Sequence, residues 1–419
     1  MSTGKRSFNS HTGEGRSAPH IAIGLAPTEM FASATNEALP RFGRRWYKVS
    51  RDLTPKASPL RSDFEIGGHK VPAGQRALVD LHVSKLSNHT PVTLPVHVLH
   101  GPRPGPAMFI SAAIHGDELN GVEIIRRVLR TLQPGNISGT LLAIPVVNAY
   151  GFIGRSRYLP DRRDLNRSFP GSGTGSLAAR LANLFLKEVV RRCQVGIDLH
   201  TAAVHRVNLP QIRADFARRP RCRELAEAFG APVVLESPER AGSLRRAARD
   251  SGVDVLVYEG GEGLRFDEFA IKAGVDGIAG VMLKTGMLEL PDGIELNPSD
   301  EMRRPVFANA SKWVRAPDGG VFRSVKRIGN AVSEDEPIGV VSNPYEGSEI
   351  QVRSPRRGII VGATTLPIVN MGDALFHIAW ADEHARPVIS RDADRSAEPL
   401  EDKGADAEPE AVMDEDEII

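Results

Sequence analysis

The order of apolar and polar residues between positions 107 and 288 predicts buried strands that alternate with amphipathic helices. Residues 107–114 (AMFISAAI) are continuously apolar, as in a strand covered on both faces, and apolar residues then recur at helical spacing over 122–132. This alternation continues along the chain, with further strands predicted at 141–147, 195–200, 232–236 and 253–259 and further helices at 176–193 and 267–288. It indicates an α/β domain with a mostly parallel sheet between two layers of helices.

The segments on either side of this region contain shorter apolar patterns, which predict strands only. Between about 60 and 100, ALVDLHVSKL and VTLPVHVLHG alternate as strands do. After about 300, short apolar runs separated by Gly, Pro and Asp predict a small all-β domain that resembles the biotinyl/lipoyl barrel-sandwich fold. A carrier domain of that type needs a lysine at a hairpin tip, and SPRRG (354–358) has arginines instead. We therefore expect a structural or substrate-covering domain.

The 419 residues are thus predicted to divide into two folded domains with a tail at each end. The expected boundaries are a loosely ordered N-terminal arm over 1–60, the α/β domain over 61–300, the small β domain over 301–383 and an acidic tail over 384–419. The arm is rich in Ser, Gly, Arg and Thr, and the tail closes in DEDE before two isoleucines, so disorder is the expectation for the tail.

Net charge, cysteine content and the length of the apolar runs exclude several classes of protein. The formal charge is +1, with 53 Lys and Arg against 52 Asp and Glu, which excludes a nucleic-acid binder recognised by strong basic charge. The only cysteines, Cys193 and Cys222, form neither a disulfide framework nor a metal-ligand spacing. No apolar run reaches the roughly 20 residues of a membrane span, and the N-terminus lacks a signal-peptide core. We expect a cytoplasmic protein with neither nucleic acid nor membrane as a partner.

Two of the predicted strands end in metal-ligating residue types. His115 and Glu118 follow the strand at 107–114 and open the next predicted helix, where side chains three residues apart can converge. His200 ends the strand at 195–200, and the carboxyl ends of strands are where α/β sheets bind ligands. Two His and one Glu are a ligand set of catalytic zinc sites. Alternatively, Glu118 only favours a helix N-terminus and the histidines are incidental.

Carboxylates lie close to these candidate ligands. Asp198 faces the same way as His200 under the two-residue period of a strand, and Asp117 is next to Glu118. Either aspartate is a candidate acceptor for the second ring nitrogen of a ligand histidine.

A polar loop at 155–171 (RSRYLPDRRDLNRSFPG) is the third chemical feature. It contains five arginines up to Arg167, and loops of this length are usually functional. Asn166 beside Arg167 suits a bound carboxylate or a developing oxyanion, since a guanidinium binds carboxylates through a planar fork. The alternative is a solvated basic loop.

The strand at 253–259 ends in Glu259, followed by a glycine-bearing turn with Glu262. A carboxylate at this edge of the sheet can accept a proton from water and deliver it to a leaving amine. Glu262 is the rival candidate. The sequence favours Glu259 because a strand end holds a catalytic group more rigidly than a turn does.

The motifs HGDE, RYLPDRRDLNR, DLHTA and YEGGE, in this order, resemble the succinylglutamate desuccinylase/aspartoacylase family of the zinc carboxypeptidase superfamily, over about residues 60–383. The resemblance implies a mixed, mostly parallel sheet sandwiched by helices, with a small C-terminal all-β domain. It also implies one Zn²⁺ per chain and catalytic and substrate-binding roles for the matching residues. These are the zinc ligands His115, Glu118 and His200, the catalytic Glu259, the catalytic and substrate-binding Arg157, and the substrate-binding Asn166 and Arg167.

One further arginine comes from HRVNLPQIR (205–213), a stretch that adds to the resemblance to less characterised members of the family. Arg213 is a candidate substrate contact, and a surface arginine at a strand end is the alternative.

Together these features predict a zinc-dependent amidohydrolase that deacylates an N-acyl amino acid or a related small carboxylate-bearing compound. A zinc carboxypeptidase acting on peptides is the alternative, and a non-catalytic metal-binding protein is a remote one. The expected partner is therefore a small N-acyl amino acid or a short peptide, and homo-oligomerisation stays open.

Overall fold

The computed structural model describes residues 61–289 and 305–381. The N-terminal arm predicted over 1–60 and the acidic tail predicted over 384–419 lie outside the described residues, as does the domain boundary predicted at 300. Among the helices in the described ranges, none combines the length and the apolar character needed to cross a membrane.

The first described range contains strands and helices in alternation after an initial group of strands. The strands are β1 (Phe64–Ile66), β2 (His69–Val71), β3 (Gln75–Lys85), β4 (Pro91–His100), β5 (Arg103–Ala112), β6 (Ser138–Ile144), β7 (Val195–His200), β8 (Arg206–Ala214), β9 (Val233–Glu236) and β10 (Asp254–Gly261). The helices are α1 (Asn120–Thr131), α2 (Ala149–Gly154), α3 (Leu177–Glu188), α4 (Arg221–Phe229), α5 (Leu244–Asp250) and α6 (Glu268–Lys284), with single 3₁₀ turns at Pro134–Asn136, Leu165–Arg167 and Val190–Arg192.

The centre of the main sheet is parallel, in the order β6-β5-β7-β10. Strands β4 and β3 extend it antiparallel beyond β6, and β8 pairs antiparallel with β10 on the other side. The register places Ser111 of β5 beside Asp198 of β7, and His200 of β7 beside Glu259 of β10. The carboxyl ends of these strands therefore meet at one edge of the sheet, where α/β proteins bind ligands.

Side chains on both faces of this sheet are buried, because helices cover both faces. Alternate residues of β5 point to opposite sides: Phe109 packs in a cluster with residues of α3 and α5, whereas Met108 and Ile110 pack with residues of α1, α4 and α6. All three side chains have no exposed area. Burial on both faces explains why β5 reads as a continuous apolar run rather than as an alternating one.

The second described range is all-β and joins the main sheet. Its strands are β11 (Val306–Ala308), β12 (Ala310–Arg315), β13 (Gly320–Ser324), β14 (Ala331–Val332), β15 (Pro337–Ser342), β16 (Glu349–Arg353), β17 (Gly358–Thr364), β18 (Ile368–Val369) and β19 (Ala374–Trp380). Strand β17 pairs antiparallel with β8, and β19 and β12 follow it, while β16-β15-β13-β18 form a separate small sheet. The predicted fold class, a mixed sheet with helices followed by a C-terminal all-β region, is confirmed.

One local prediction is wrong. Helix α1 begins at Asn120, so His115 and Glu118 lie in the turn that precedes it and not in its first turn. The Glu118 amide donates to the His115 carbonyl oxygen at 3.2 Å, which closes this turn. The Glu118 carboxylate contacts His115 and His200 and not the helix N-terminus. The helix therefore starts only after this turn.

Candidate active site

Three buried side chains meet at the carboxyl edge of the sheet. His115 and Glu118 come from the turn after β5, and His200 is the last residue of β7. The His115 Nδ1 atom lies 2.6 Å from Glu118 Oε1, and the His200 Nδ1 atom lies 2.7 Å from Glu118 Oε2. One ligand atom from each residue lies within 4.8 Å of the other two. This buried group can bind a metal ion.

The outward-facing nitrogen of each imidazole contacts a further carboxylate. His115 Nε2 lies 3.1 Å from Asp164 Oδ1, and His200 Nε2 lies 2.7 Å from Asp198 Oδ2. Ser111 donates to the other oxygen of Asp198 at 2.7 Å. Since the aspartates occupy both Nε2 atoms, both Nδ1 lone pairs are directed to the same point, as ligand histidines require. The donor set therefore fits a divalent metal ion.

The carboxylate and the imidazoles of this group stabilise one another's charged forms. Burial alone raises the pKa of the Glu118 carboxyl, but His115 and His200 outweigh it and hold that pKa far below its ordinary value. Burial lowers the pKa of His200, whereas Glu118 and Asp198 raise it well above its ordinary value. Glu118 is thus an ionised carboxylate at neutral pH, in the state in which carboxylates bind metals.

We expect Asp198→Ala to weaken metal binding about 10- to 100-fold, because the loss of this acceptor frees the orientation of His200. Chelator competition on the purified protein measures the affinity. Asp80→Ala is the matched control, since Asp80 is exposed on β3 and its bond to Thr93 is remote from the site. Equal affinities of the two variants would show that Asp198 does not orient His200 for metal binding.

Arg157 also contacts the metal-binding group. Its Nη2 donates to Asp164 Oδ2 at 2.9 Å, and its Nη1 lies 3.4 Å from His115 Nδ1 and 3.8 Å from Glu118 Oε1. Asp164 therefore positions both His115 and Arg157. The sequence predicts Asp198 and Asp117 as candidate partners of ligand histidines and does not point to Asp164, which is adjacent to neither ligand in the chain.

Asp164 also shapes the rest of the arginine loop. Its Oδ1 accepts from the Asn166 amide at 2.6 Å at the start of the 3₁₀ turn Leu165–Arg167. The Asn166 side chain accepts from the Leu244 amide at 2.9 Å, which joins the loop to the start of α5. Arg167 donates to the Asn166 carbonyl oxygen, and Asn166 and Arg167 line the same pocket as the metal-binding group.

Glu259 lines this pocket from β10, and its side chain is 13% exposed. The Asn208 amide nitrogen donates to Glu259 Oε2 at 3.2 Å, and Arg213 Nη1 lies 3.8 Å from Glu259 Oε1. Glu262 has a different setting, because it accepts from the His205 amide and the Thr365 hydroxyl and does not line the pocket. Of the two glutamates, the structure thus brings only Glu259 to the candidate metal ligands.

The pocket occupies about 900 Å³ including its open mouth. Beyond the residues predicted from sequence, its wall includes side chains from β8, from the segment between β9 and α5, from α5 and from the all-β region: Arg206, Asn208, Ser237, Arg240, Ser243, Arg245 and Trp313. Arg206 lies over the indole of Trp313, 5.1 Å from its centroid. Arg206 and Asn208 lie in the stretch HRVNLPQIR, whereas no motif singled out from the sequence contains the others, because long-range packing brings them to the site.

A model of the succinylglutamate desuccinylase/aspartoacylase catalytic domain matches residues 104–284, the part of the chain that carries the site. Over these residues the chain is similar to the succinylglutamate desuccinylase/aspartoacylase family. One relative is the N-alpha-acetyl-L-2,4-diaminobutyric acid deacetylase of Halomonas elongata. It is 27% identical over 288 residues, which cover 66% of this chain and 82% of the relative.

Two solved structures share the fold of this chain. A succinylglutamate desuccinylase/aspartoacylase from Rhodobacter sphaeroides has a TM-score of 0.66 at 23% identity, covering 78% of this chain and 100% of its own. The product-bound ectoine utilization protein EutE (DoeB) of Ruegeria pomeroyi has a TM-score of 0.64 at 21% identity, covering 77% and 99%. The similarity extends over the α/β part and into the all-β region, since it covers more of the chain than residues 104–284.

Proposed function

We propose that this chain is a zinc-dependent amidohydrolase that removes the acyl group from an N-acyl amino acid or a related small carboxylate-bearing compound. The observation that carries the proposal is the joint placement of His115, Glu118, His200, Arg157 and Glu259 in one pocket. The name of the Halomonas elongata relative, a deacetylase of an N-acetyl amino acid, supports the reaction class.

Zinc is the metal proposed for the site. His115 and His200, through Nδ1, and Glu118, through its carboxylate, would hold one ion, and two His with one Glu is a ligand set of catalytic zinc. When bound, zinc polarises a carbonyl group and makes water acidic enough to ionise near neutral pH.

The reacting groups of the chain itself are Glu259 and Arg157. We assign to the Glu259 carboxylate the acceptance of a proton from the attacking water and its transfer to the leaving nitrogen. Arg157 lies beside the ligand cluster with its guanidinium held by Asp164, so it can stabilise negative charge that develops on the carbonyl oxygen without reorganising.

Binding of the substrate carboxylate is assigned to Asn166 and Arg167. Both line the pocket on the side of the arginine loop, and a guanidinium binds a carboxylate through two parallel hydrogen bonds. Arg213 is a further proposed substrate contact. It lines the pocket, and its Nη1 lies 3.8 Å from Oε1 of the proposed base Glu259.

A substrate panel tests the proposed function. N-acetyl and N-succinyl amino acids are compared with tripeptides and longer peptides, and the release of free amine is measured with Glu259→Gln as the blank. We expect turnover of N-acyl amino acids and no trimming of peptides. Trimming of peptides alone would favour a carboxypeptidase, and turnover of neither class would favour a metal-binding protein without activity.

We expect Arg167→Lys to raise KM about tenfold or more, since lysine keeps the charge but loses the planar fork. The measurement is steady-state kinetics on the fastest substrate of the panel and on its carboxamide, which lacks the carboxylate. Arg180→Lys on the exposed face of α3 is the control and should not change KM. If wild-type protein used the carboxylate and the carboxamide equally well, the carboxylate-binding assignment would be wrong.

We also propose that the chain divides into domains at residues 61–300 and 301–383 and that the protein is cytoplasmic. The pairing of β17 with β8 makes the sheet continuous between the two proposed domains. A 61–300 fragment would therefore expose the edge of β8, and limited proteolysis of the full chain is the direct test of the boundary.

A further inference from the structure

The side chain of Asn208 lies between the proposed base and the all-β region. It is 5% exposed, and its amide nitrogen donates to Glu259 Oε2 at 3.2 Å. Because strand β8 runs between β10 and β17, Asn208 pairs with Gly261 on one side and with Gly362 on the other. A residue of the central sheet thus connects the catalytic edge to the C-terminal strands.

Gly362 has no side chain, and the Asn208 amide occupies the space beside its Cα atom. A Cβ atom added at Gly362 would lie 2.9 Å from Asn208 Oδ1, 3.3 Å from the Cβ of His377 and 3.5 Å from the Trp313 ring. The Asn208 oxygen therefore packs against bare backbone of β17, beside side chains of the all-β region. With its oxygen fixed on that side, the amide nitrogen is directed to Glu259.

The strand register supports the same arrangement. Between β8 and β10 the pairing shifts, since Glu259 pairs with Gln211 whereas Gly261 pairs with Asn208. Such bulges redirect side chains next to active sites. Here the shift allows Asn208 to contact Glu259 along the sheet, although the two residues are not direct partners.

We propose that Asn208 is a positioning residue for Glu259, and that the all-β region acts on the reaction through Gly362 by fixing the orientation of the Asn208 amide. This inference rests on the proposed role of Glu259 as the base. An amide donor to one carboxylate oxygen fixes the rotation of the carboxylate. A carboxylate misplaced by 1 Å or less can lose about 100-fold in rate.

Two substitutions test this proposal in the full-length zinc-loaded protein. Asn208→Asp keeps the shape but places an oxygen, and not an N–H donor, against Glu259, so like charges repel. Gly362→Ala keeps asparagine at position 208 but fills the space of its amide oxygen. The Asn208 side chain is therefore forced to turn. The matched control is Gly319→Ala in the same region, where the nearest atom to an added Cβ is 3.7 Å away.

The readouts are kcat, KM, zinc content and melting temperature on the fastest substrate of the panel. We expect kcat to fall on the order of 10- to 100-fold in Asn208→Asp and in Gly362→Ala, with KM and zinc content within about twofold of wild type. Gly319→Ala should keep wild-type kcat. In a Glu259→Gln background, Asn208→Asp should cause no further loss, because residues that act through one another are not additive.

Wild-type kcat in Asn208→Asp, or a full additional loss in the double variant, would overturn the positioning role. If Asn208→Asp does not fold, Gly362→Ala alone decides, since it leaves every pocket side chain unchanged in identity. Failure of the proposed function is distinguishable, because the wild-type protein would then release no amine from any N-acyl amino acid of the panel. Unchanged turnover in Glu259→Gln would reject the base on which this inference rests. A large loss in Glu259→Gln with normal kcat in both new variants would reject only the role of Asn208.

Discussion

We expect Glu259→Gln to lower turnover by about 10²–10⁴-fold while zinc content and melting temperature stay at wild-type values. Glutamine keeps nearly the same shape but cannot accept the proton of the attacking water. Glu259 is not among the three candidate metal ligands, so the metal should remain bound. Steady-state kinetics with zinc analysis of the same samples measures both quantities.

Glu262→Gln is the matched control for this result. The two glutamates are three residues apart, but Glu262 accepts hydrogen bonds from the His205 amide and the Thr365 hydroxyl outside the pocket. Its substitution should therefore cost less than about tenfold in turnover, within what a lost structural hydrogen bond causes. A large loss in Glu262→Gln with a small loss in Glu259→Gln would reverse the assignment of the base.

The second large effect is expected for His200→Ala. Wild-type protein purified without added metal should contain about one zinc per chain, whereas the variant keeps only two of the three ligands and should lose most of it. Turnover should fall with the metal. Elemental analysis measures the zinc content of both proteins.

His82→Ala is the control for the metal analysis, because His82 is exposed on β3 and does not line the pocket. It should contain as much zinc as wild type. Full zinc content in His200→Ala would contradict the ligand assignment at this position.

Much of the fold was predictable because buried strands have mostly apolar residues, which the sequence shows directly. The strand predicted over 195–200 coincides with β7, and the run at 107–114 overlaps β5, since both strands are covered on both faces and are apolar at most of their buried positions. The candidate metal ligands followed from this placement, because the ends of parallel strands converge in space whatever their separation along the chain.

What escaped prediction depends on long-range contacts. Strand β8 has the polar residues Asn208 and Gln211 in its interior. Asn208 is buried between β10 and β17, and Gln211 is buried between β10 and β9. Asp164 reaches His115 across 49 residues of sequence. Such pairings follow from the packed sheet and loops and not from local periodicity, so no window of sequence contains them.

The start of α1 was misjudged for a local reason. An acidic residue before an apolar periodic segment is the usual signature of a helix N-terminus, and Glu118 matches it. In the structure its carboxylate lies between His115 and His200, and the turn that holds these candidate ligands delays the helix to Asn120. The predicted start of the helix was therefore too early, because an acidic residue typical of a helix start lies in the turn before it.

The most direct test of the central claim is the zinc dependence of amine release. Metal-free protein prepared by chelation is assayed on N-acetyl amino acids that include N-α-acetyl-L-2,4-diaminobutyrate, before and after titration with zinc. We predict no release of free amine without metal and full activity at about one zinc per chain. Equal hydrolysis by the metal-free protein, or no hydrolysis of any N-acyl amino acid by the zinc-loaded protein, would contradict the account.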